Sequence, residues 1–348
     1  MSSSGRIGPS RGSGSDASGE MGSSTFGVES EQIDAAVAVL RKGGLVAFAT
    51  ETVYGLGADA SNPDALAKVF AVKGRPADHP LIVHLASAAM VDEWAIDVPP
   101  VARALVTACW PGPLTILVRA APHVSRVATG GRDTVGLRVP GHPVALRLLA
   151  AFGGGIAAPS ANRFGRTSPT TAEHVHHDLG DDVDLILDGG PCPVGIESTI
   201  VDCTVEAPQI LRSGGVAAEH VERIIGEHLG PGTTLGAPSG PARAPGMLAA
   251  HYAPRCQVLV VESIEEAASV GATLRLATPY PRIEILSCPG SVEDYARELY
   301  GALRDADRRE VDVLVAVLPP PGGLGDAVRD RLQRAATGTD PSIRGDVT

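Results

Sequence analysis

The chain has 348 residues, 44% of them hydrophobic and 20% charged, so it can bury a core, and wholesale disorder is excluded; the length suits two domains plus tails. The net charge of −11 divides into 0 for residues 1–28, −7 for 29–254 and −4 for 255–348, and aromatics are only 3%. Neither domain therefore has the basic excess or the stacking platforms of a protein whose main work is gripping nucleic acid.

No apolar run approaches the roughly 20 residues of a membrane-spanning helix, and the amino terminus lacks a signal-peptide stretch. Five widely spaced cysteines (Cys109, Cys192, Cys203, Cys256, Cys288) form no C-x-x-C pair. Reduced structural thiols and a cytoplasmic location are expected.

Residues 1–24 hold 9 Ser and 6 Gly, the composition of a disordered lead-in that extends to residue 28. Ile33, Ala36, Val37 and Leu40 then fall on one helical stripe, which Ser30 can cap and Gly43-Gly44 ends. A buried strand follows over Leu45–Ala49. Signals alternate from there: helix 63–72, strand 81–85, helix 101–108, strand 114–118, strand 135–139, helix 144–152, strand 156–158, helix 172–179 and strand 185–187. Strands near 198–202 and 209–211 and a helix over 217–228 complete a catalytic-sized unit, residues 29–229. The pattern predicts an α/β fold with a mixed sheet, because the last strands lie too close together for helical crossovers.

Residues 230–254 carry five prolines and several glycines and read as an interdomain linker. Strands at 257–261, 283–286 and 311–318, with helices near 264–276, 292–307 and 325–336, predict a small Rossmann-like α/β domain over 255–336. Residues 337–348 are a tail.

No phosphate loop of the G-x-x-x-x-G-K-[ST] type, H-E-x-x-H pair or G-x-S-x-G elbow is present. His174, His176 and His177 cluster, but with no third ligand on one face they read as a solvated helix surface. Gly55, Gly57 and Ala60 imitate a dinucleotide fingerprint. Yet Pro63 starts the helix only after the last small residue, so these glycines are expected to let a loop pass close to a ligand or another backbone.

Of the 29 basic residues only Lys42, Lys68 and Lys73 are lysines, and Asn62 and Asn162 are the only asparagines. Lys42 and Lys68 are expected on solvated helix faces and Asn62 at a helix cap. Lys73 and Asn162 remain. Lys73-Gly74-Arg75-Pro76 sets an ammonium and a guanidinium two residues apart on a shaped loop, which can clamp phosphates or merely complement a helix dipole. Ala158-Pro159-Ser160-Ala161-Asn162 leads into Arg163, Arg166 and Ser168. Further loops bring Thr134 and Arg138, Glu197-Ser198-Thr199, and Leu211-Arg212-Ser213-Gly214-Gly215. Together they point to one crevice for an anionic ligand.

Thr50-Glu51-Thr52-Val53-Tyr54-Gly55-Leu56-Gly57, Lys73-Gly74-Arg75-Pro76 and Pro80-Leu81-Ile82-Val83-His84, in this order, resemble the threonylcarbamoyl-AMP synthase family of the YrdC/Sua type. So do Trp110–Thr115, Val135–Pro140, Ala158–Asn162 and Leu211–Gly215. Pro245-Gly246-Met247, His251-Tyr252-Ala253-Pro254 and Asp330-Arg331-Leu332 resemble its longer, two-domain branch. Three departures stand out: His79 occupies a usual Asn position, and the linker's Ser and Lys-Tyr-Lys appear as Ala244 and Leu248-Ala249-Ala250.

The resemblance implies a YrdC-like domain with a twisted mixed sheet and a concave crevice. It implies an ATP-dependent nucleotidyltransferase that joins L-threonine, bicarbonate and ATP into threonylcarbamoyl-AMP and pyrophosphate, with Mg2+ accompanying ATP and no metal held by protein side chains. The product would pass to a separate transferase that modifies tRNA beside the anticodon. By position, Lys73 and Arg75 would be catalytic and bind ATP together with His79, Thr134, Ser160, Asn162, Ser168 and Arg212. Thr52, His84, Arg138 and Ser198 would take L-threonine, and Tyr252 would belong to a lid. Two other readings stay open: an RNA-binding module of the YrdC type using Arg132, Arg138, Arg163 and Arg166 with weak tRNA contact, and a nicotinamide enzyme reading Gly55 and Gly57.

Overall fold

Short runs of β-branched and aliphatic residues, each bounded by Gly, Pro or Asn, build a ten-stranded mixed sheet with helices packed on it in the computed structural model. The structure describes residues 28–231, 243–246, 251–276, 281–288 and 290–339. The expected lead-in up to residue 27, most of the linker and the end of the tail lie outside the described residues. Nine strands run in the order β10-β9-β5-β6-β3-β7-β2-β1-β8, where β1 is Val46–Phe48, β2 Gly55–Asp59, β3 Ile82–His84 and β5 Leu114–Ala120. β6 is Thr134–Arg138, β7 Ile156–Ala157, β8 Leu185–Leu187, β9 Thr199–Asp202 and β10 Gln209–Arg212. β4 (Ala95–Ile96) pairs with β5 to one side. Pairs β1·β8, β3·β6 and β5·β9 are parallel and the others antiparallel, the mixed arrangement expected.

The helices begin where their sequences dictate. Asn62 accepts from the amides of Asp64 and Ala65 and Pro63 follows it, which starts α2 (Pro63–Lys73) as a capped helix. In α1 (Ser30–Arg41) the cap is Glu29, paired in a box with Gln32, whereas Ser30 was expected; the chain turns helical one residue earlier than its hydroxyl signal. Lys68 is also not simply solvated, since its ammonium donates to the Gly43 carbonyl and ties α2 to the end of α1.

β2 is the strand that the sequence conceals. Gly55 and Gly57 neither favour strands nor pack side chains, and they read as a loop. They are needed because β2 presses on its neighbours: a Cβ at Gly57 would lie 2.8 Å from Phe48 Cε1, 2.9 Å from Ile156 Cγ2 and 3.1 Å from the Val46 carbonyl oxygen. Gly57→Ala is expected to destabilise by about 1–3 kcal/mol through overpacking. Urea unfolding would measure it, and an unchanged midpoint would show that the neighbours yield freely. The dinucleotide reading falls here as well, because these glycines sit inside a strand and not in a strand-to-helix turn.

The second unit is a three-stranded parallel sheet in the order β11-β13-β12, with β11 Gln257–Val261, β12 Ile283–Leu286 and β13 Val313–Val317. Helices α9 (Val292–Arg308) and α10 (Leu324–Thr339) pack beside it, α9 on a stripe of Tyr295, Leu299, Tyr300 and Leu303. That core does not stop at the domain boundary. Val53 and Ile196 of the large unit and Tyr252 of the linker are buried in the same apolar cluster as Leu299, Tyr300 and Leu332.

Candidate active site

One face of the large sheet carries Ile82 and His84 on β3 and Arg138 opposite His84 on β6, since residues two apart share a face. Loops close over it. Lys73 ends α2, and Gly74 turns left-handed at φ +62°, so the chain reverses and Arg75 enters the same pocket. The Lys73 ammonium donates to the carbonyls of Ser160 and Asn162 at 2.5 Å, while Phe164 N donates to Lys73 O at 2.7 Å. The Lys-Gly-Arg and Ser-Ala-Asn loops therefore meet as one wall.

Arg75 donates Nη2 to Pro80 O, lies over the Phe164 ring and leaves Nε without a partner. Arg212, at the end of β10, donates to the carbonyl and hydroxyl of Ser198 and to Pro245 O. Lys73, Arg75 and Arg212 are 3%, 8% and 6% exposed, and no carboxylate among the described residues lies within ion-pair distance of any of them. Burial, and after it Arg75, pushes the Lys73 ammonium well below its ordinary value; burial lowers Arg75 to about 10 and Arg212 as well. Three converging cations under desolvation strain are what a multiply charged anion relieves.

The opposite wall is differently charged. Arg138 Nη2 stands 2.7 Å from Glu51 Oε1, and its Nε donates to Gly112 O. The ion pair is close but not aligned as a hydrogen bond, so Nη2 keeps a donor for a second carboxylate. Thr52 shares a hydroxyl contact with Thr50, and Ser198 shares one with Thr115. His84 and His251 are buried and neutral: burial, then Arg138, lowers His84 to about 3. Burial likewise takes His251 to about 3, helped by Arg75, Lys73 and Arg331 against the opposing pull of Glu197.

Both histidines titrate near 6.5 in an unfolded chain, so that chain binds more protons between pH 6.5 and 3. Their contribution to stability is present above pH 6.5 and is lost as pH falls through this window. The melting temperature is expected to decline over that range, with a shallower decline for His84→Gln. Identical profiles for the two proteins would contradict the assignment.

The pocket unites Thr52, Lys73, Arg75, His84, Arg138, Ser160, Asn162, Ser198, Arg212 and Tyr252 of the residues expected. Three others stand off it. His79 packs its ring on Phe164 at the rim, and Thr134 lies at the other end of β6, about 13 Å from Arg138 at strand rise. Ser168 spends its hydroxyl on Glu197 at 2.6 Å. Phe164 and His251 line the pocket and Glu51 backs it through Arg138, although the sequence reading assigned them no role; the Glu51 carboxylate inside a hydroxyl-rich motif was the available signal. Glu197, which that reading placed only on a crevice loop, lines the pocket as well.

The arginines of the RNA-binding reading do not all share one face, since Arg163 and Arg166 line a cavity separate from the one holding Arg138. Arg138 is buried against Glu51, Arg163 pairs with Asp182, and Arg132 donates to the carbonyls of Asp78 and Gly130. Among the described residues there is no group of three or more potential metal ligands, and none of the five cysteines forms a disulfide. No described helix is long and apolar enough to cross a membrane.

The family model described as Telomere recombination matches residues 38–214, and the one described as Threonylcarbamoyl-AMP synthase, C-terminal domain, matches 216–337. A threonylcarbamoyl-AMP synthase of Pyrococcus abyssi is 42% identical over 325 residues, covering 89% of this chain and 95% of the relative. One of Bacillus subtilis is 41% identical over 325 residues, covering 88% and 93%. The crystal structure of P. abyssi Sua5 complexed with L-threonine superposes with a TM-score of 0.85 at 39% identity, over 90% of this chain and 96% of that one. A P. abyssi Sua5 variant with an adjacent His and Tyr replaced by Ala gives 0.84.

Proposed function

This chain belongs to the two-domain threonylcarbamoyl-AMP synthase family, and from that premise we propose how its pocket performs the synthesis. The activity is formation of threonylcarbamoyl-AMP for tRNA threonylcarbamoyladenosine. The threonine amine and bicarbonate condense to a carbamate with loss of water. A carbamate oxygen attacks the α-phosphorus of ATP, the bond from that phosphorus to the β-phosphate bridging oxygen breaks, and pyrophosphate leaves with its electron pair. Such a step asks for alignment and charge neutralisation rather than for a protein nucleophile.

The observation that carries this reading is the trio of buried cations without carboxylate partners among the described residues. Lys73, Arg75 and Arg212 seat the triphosphate, and Lys73 and Arg75 offset the charge that develops on the leaving pyrophosphate. Ser160 and Asn162 border the nucleotide. Arg138, His84, Thr52 and Ser198 take L-threonine, with its carboxylate on the free Nη2 donor of Arg138 and the neutral His84 imidazole adding no competing charge. His79 and Thr134 are proposed to reach the nucleotide only at the margins, and Ser168 only through Glu197.

Glu197 in the pocket wall and Glu51 behind Arg138 are each paired with an arginine, so the donors fit Mg2+ arriving on the triphosphate rather than in a protein-made site. Bound to ATP, the ion would neutralise phosphate charge.

The linker is proposed as the lid. Pro245, Gly246, His251 and Tyr252 line a pocket whose free volume is only about 50 Å3, small beside the roughly 300 Å3 at the lower end of ligand sites, so ATP enters as they withdraw. Tyr252 is held at φ +62°, a strained backbone for a tyrosine, and His251-Tyr252 is the chain's one His-Tyr pair, the kind of pair substituted in the P. abyssi variant. Residues 29–229 would be the catalytic domain, 230–254 the linker and 255–336 the C-terminal domain. The labile product would pass in the cytoplasm, consistent with five cysteines outside any disulfide, to a separate transferase that works on tRNA, with any tRNA contact here weak and local.

Pyrophosphate release from ATP and bicarbonate, compared between L-threonine and L-serine, tests the reading. Release is expected to need the amino acid and to favour threonine by about 10–200-fold in kcat/KM, the range one methyl group provides. Equal release without any amino acid would refute it.

A further inference from the structure

Glu197 lies between two arginines from different domains. It is 6% exposed, and its neighbour Ser198 receives two hydrogen bonds from Arg212. Its own carboxylate is occupied from elsewhere. Ser168 donates to Oε1, and Tyr300 of α9 donates to both oxygens at 3.0 and 2.8 Å. Arg331 of α10 donates Nε to Oε2 at 2.8 Å. Burial alone would raise this carboxyl, but Arg331 and then Arg212, with the bonds from Ser168 and Arg331, hold it down at about 2, so it is ionised.

Arg331 is fully buried and contacts both the large unit and the linker. Nη2 donates to the carbonyl of Ser213, the residue after Arg212, and the guanidinium lies 5.0 Å from the centre of the Tyr252 ring. A buried carboxylate that loses its cation is an uncompensated charge, which a nearby cation can relieve. Here the other cation acting on Glu197 is Arg212.

We propose that the C-terminal domain takes part in the synthase reaction through Arg331, a positioning residue that occupies Glu197 and so leaves Arg212 directed at the triphosphate. The inference rests on the reading of Arg212 as a triphosphate contact. It explains why a separate α/β domain is attached, since α9 and α10 deliver Tyr300 and Arg331 onto Glu197 in the pocket wall.

The test uses the full chain and pyrophosphate release as a function of ATP. Arg331→Met lets Glu197 draw Arg212 away, and kcat/KM for ATP is expected to fall about 100-fold, the scale of an ångström-sized misplacement. The double variant Glu197→Gln/Arg331→Met removes the competitor and is expected to recover at least about tenfold of that loss, a non-additivity typical of groups in one network. A purely structural clamp would change the melting temperature of these variants and leave KM for ATP of the folded protein unchanged. A double variant no more active than Arg331→Met, or parental kcat/KM in Arg331→Met, would overturn the inference.

Arg331→Lys decides the matter should Arg331→Met not fold. It keeps the charge on Glu197, so kcat/KM is expected to stay within about tenfold of the parent despite the lost fork geometry. A loss as deep as that of Arg212→Met would overturn the inference. Arg212→Met itself separates the two levels: an unchanged KM for ATP there would refute the underlying reading of Arg212 and not the pairing of Glu197.

Discussion

Lys73→Met and Arg75→Met are each expected to lower turnover by about 100-fold or more, the effect of removing one preorganised charge from a developing anion. The two variants should melt no lower than the parent. A buried cation with no carboxylate partner is a burden on the fold, and an apolar residue of similar length removes it; comparable replacements of buried charges are often neutral or stabilising by about 1–4 kcal/mol. Lys73 does have two carbonyl acceptors, in Ser160 and Asn162, which lie beside the pocket and can be rehydrated from it. Pyrophosphate release and thermal melting, measured on the same preparations, give both halves of the prediction. Retained turnover with a lowered melting temperature would mean that these cations serve the fold instead.

Arg138→Met should fail in the opposite way. Its partner Glu51 is buried with both oxygens lacking aligned hydrogen bonds, so losing Arg138 strands a carboxylate in the interior. Breaking one side of such a pair destabilises by about 3–5 kcal/mol. L-Threonine binding should be lost together with stability, because the same guanidinium faces both carboxylates. Glu51→Gln/Arg138→Met is expected to regain most of the stability and none of the threonine affinity. Melting curves and calorimetric titration of L-threonine separate the two quantities, and a double variant that binds threonine normally would remove Arg138 from the amino-acid site.

These contrasts follow from how the pocket distributes its charge. In the proposed reading, arginines that face a protein carboxylate, Arg138 and Arg331, hold the architecture and act on substrate only through a remaining donor or a neighbour. The cations that face no carboxylate among the described residues, Lys73, Arg75 and Arg212, are then left for the nucleotide. Activity and stability therefore respond to different members of one cluster.

Local rules carried the fold far. Helical stripes, the Asn62 cap and the alternating apolar runs locate nearly every element, because each is decided within a few residues. β2 escaped because its glycines answer to the closeness of Phe48 and Ile156, which is a tertiary demand. The four-residue helix Val91–Trp94 and the two-residue β4 are too short to show a period.

The site was legible where composition was unusual. In an arginine-rich chain, a surviving lysine and a surviving asparagine pointed to Lys73 and Asn162, which the fold joins through a hydrogen bond across 89 residues of sequence. Glu197 and Arg331 had no such signal: they are 134 residues apart, in different domains, and nothing local links them. Ser168 and Thr134 look like pocket residues from their motifs, yet one hydroxyl is directed at Glu197 and the other sits at the far end of its strand.

A crystal structure of this chain with a non-hydrolysable ATP analogue and L-threonine tests the central claim most directly. The triphosphate should lie within hydrogen-bond distance of Lys73 and Arg75, with the threonine carboxylate on Arg138 in the same pocket. A nucleotide seated instead in the separate cavity of about 380 Å3 between Arg166 and Arg304, with Lys73 and Arg75 untouched, would contradict it.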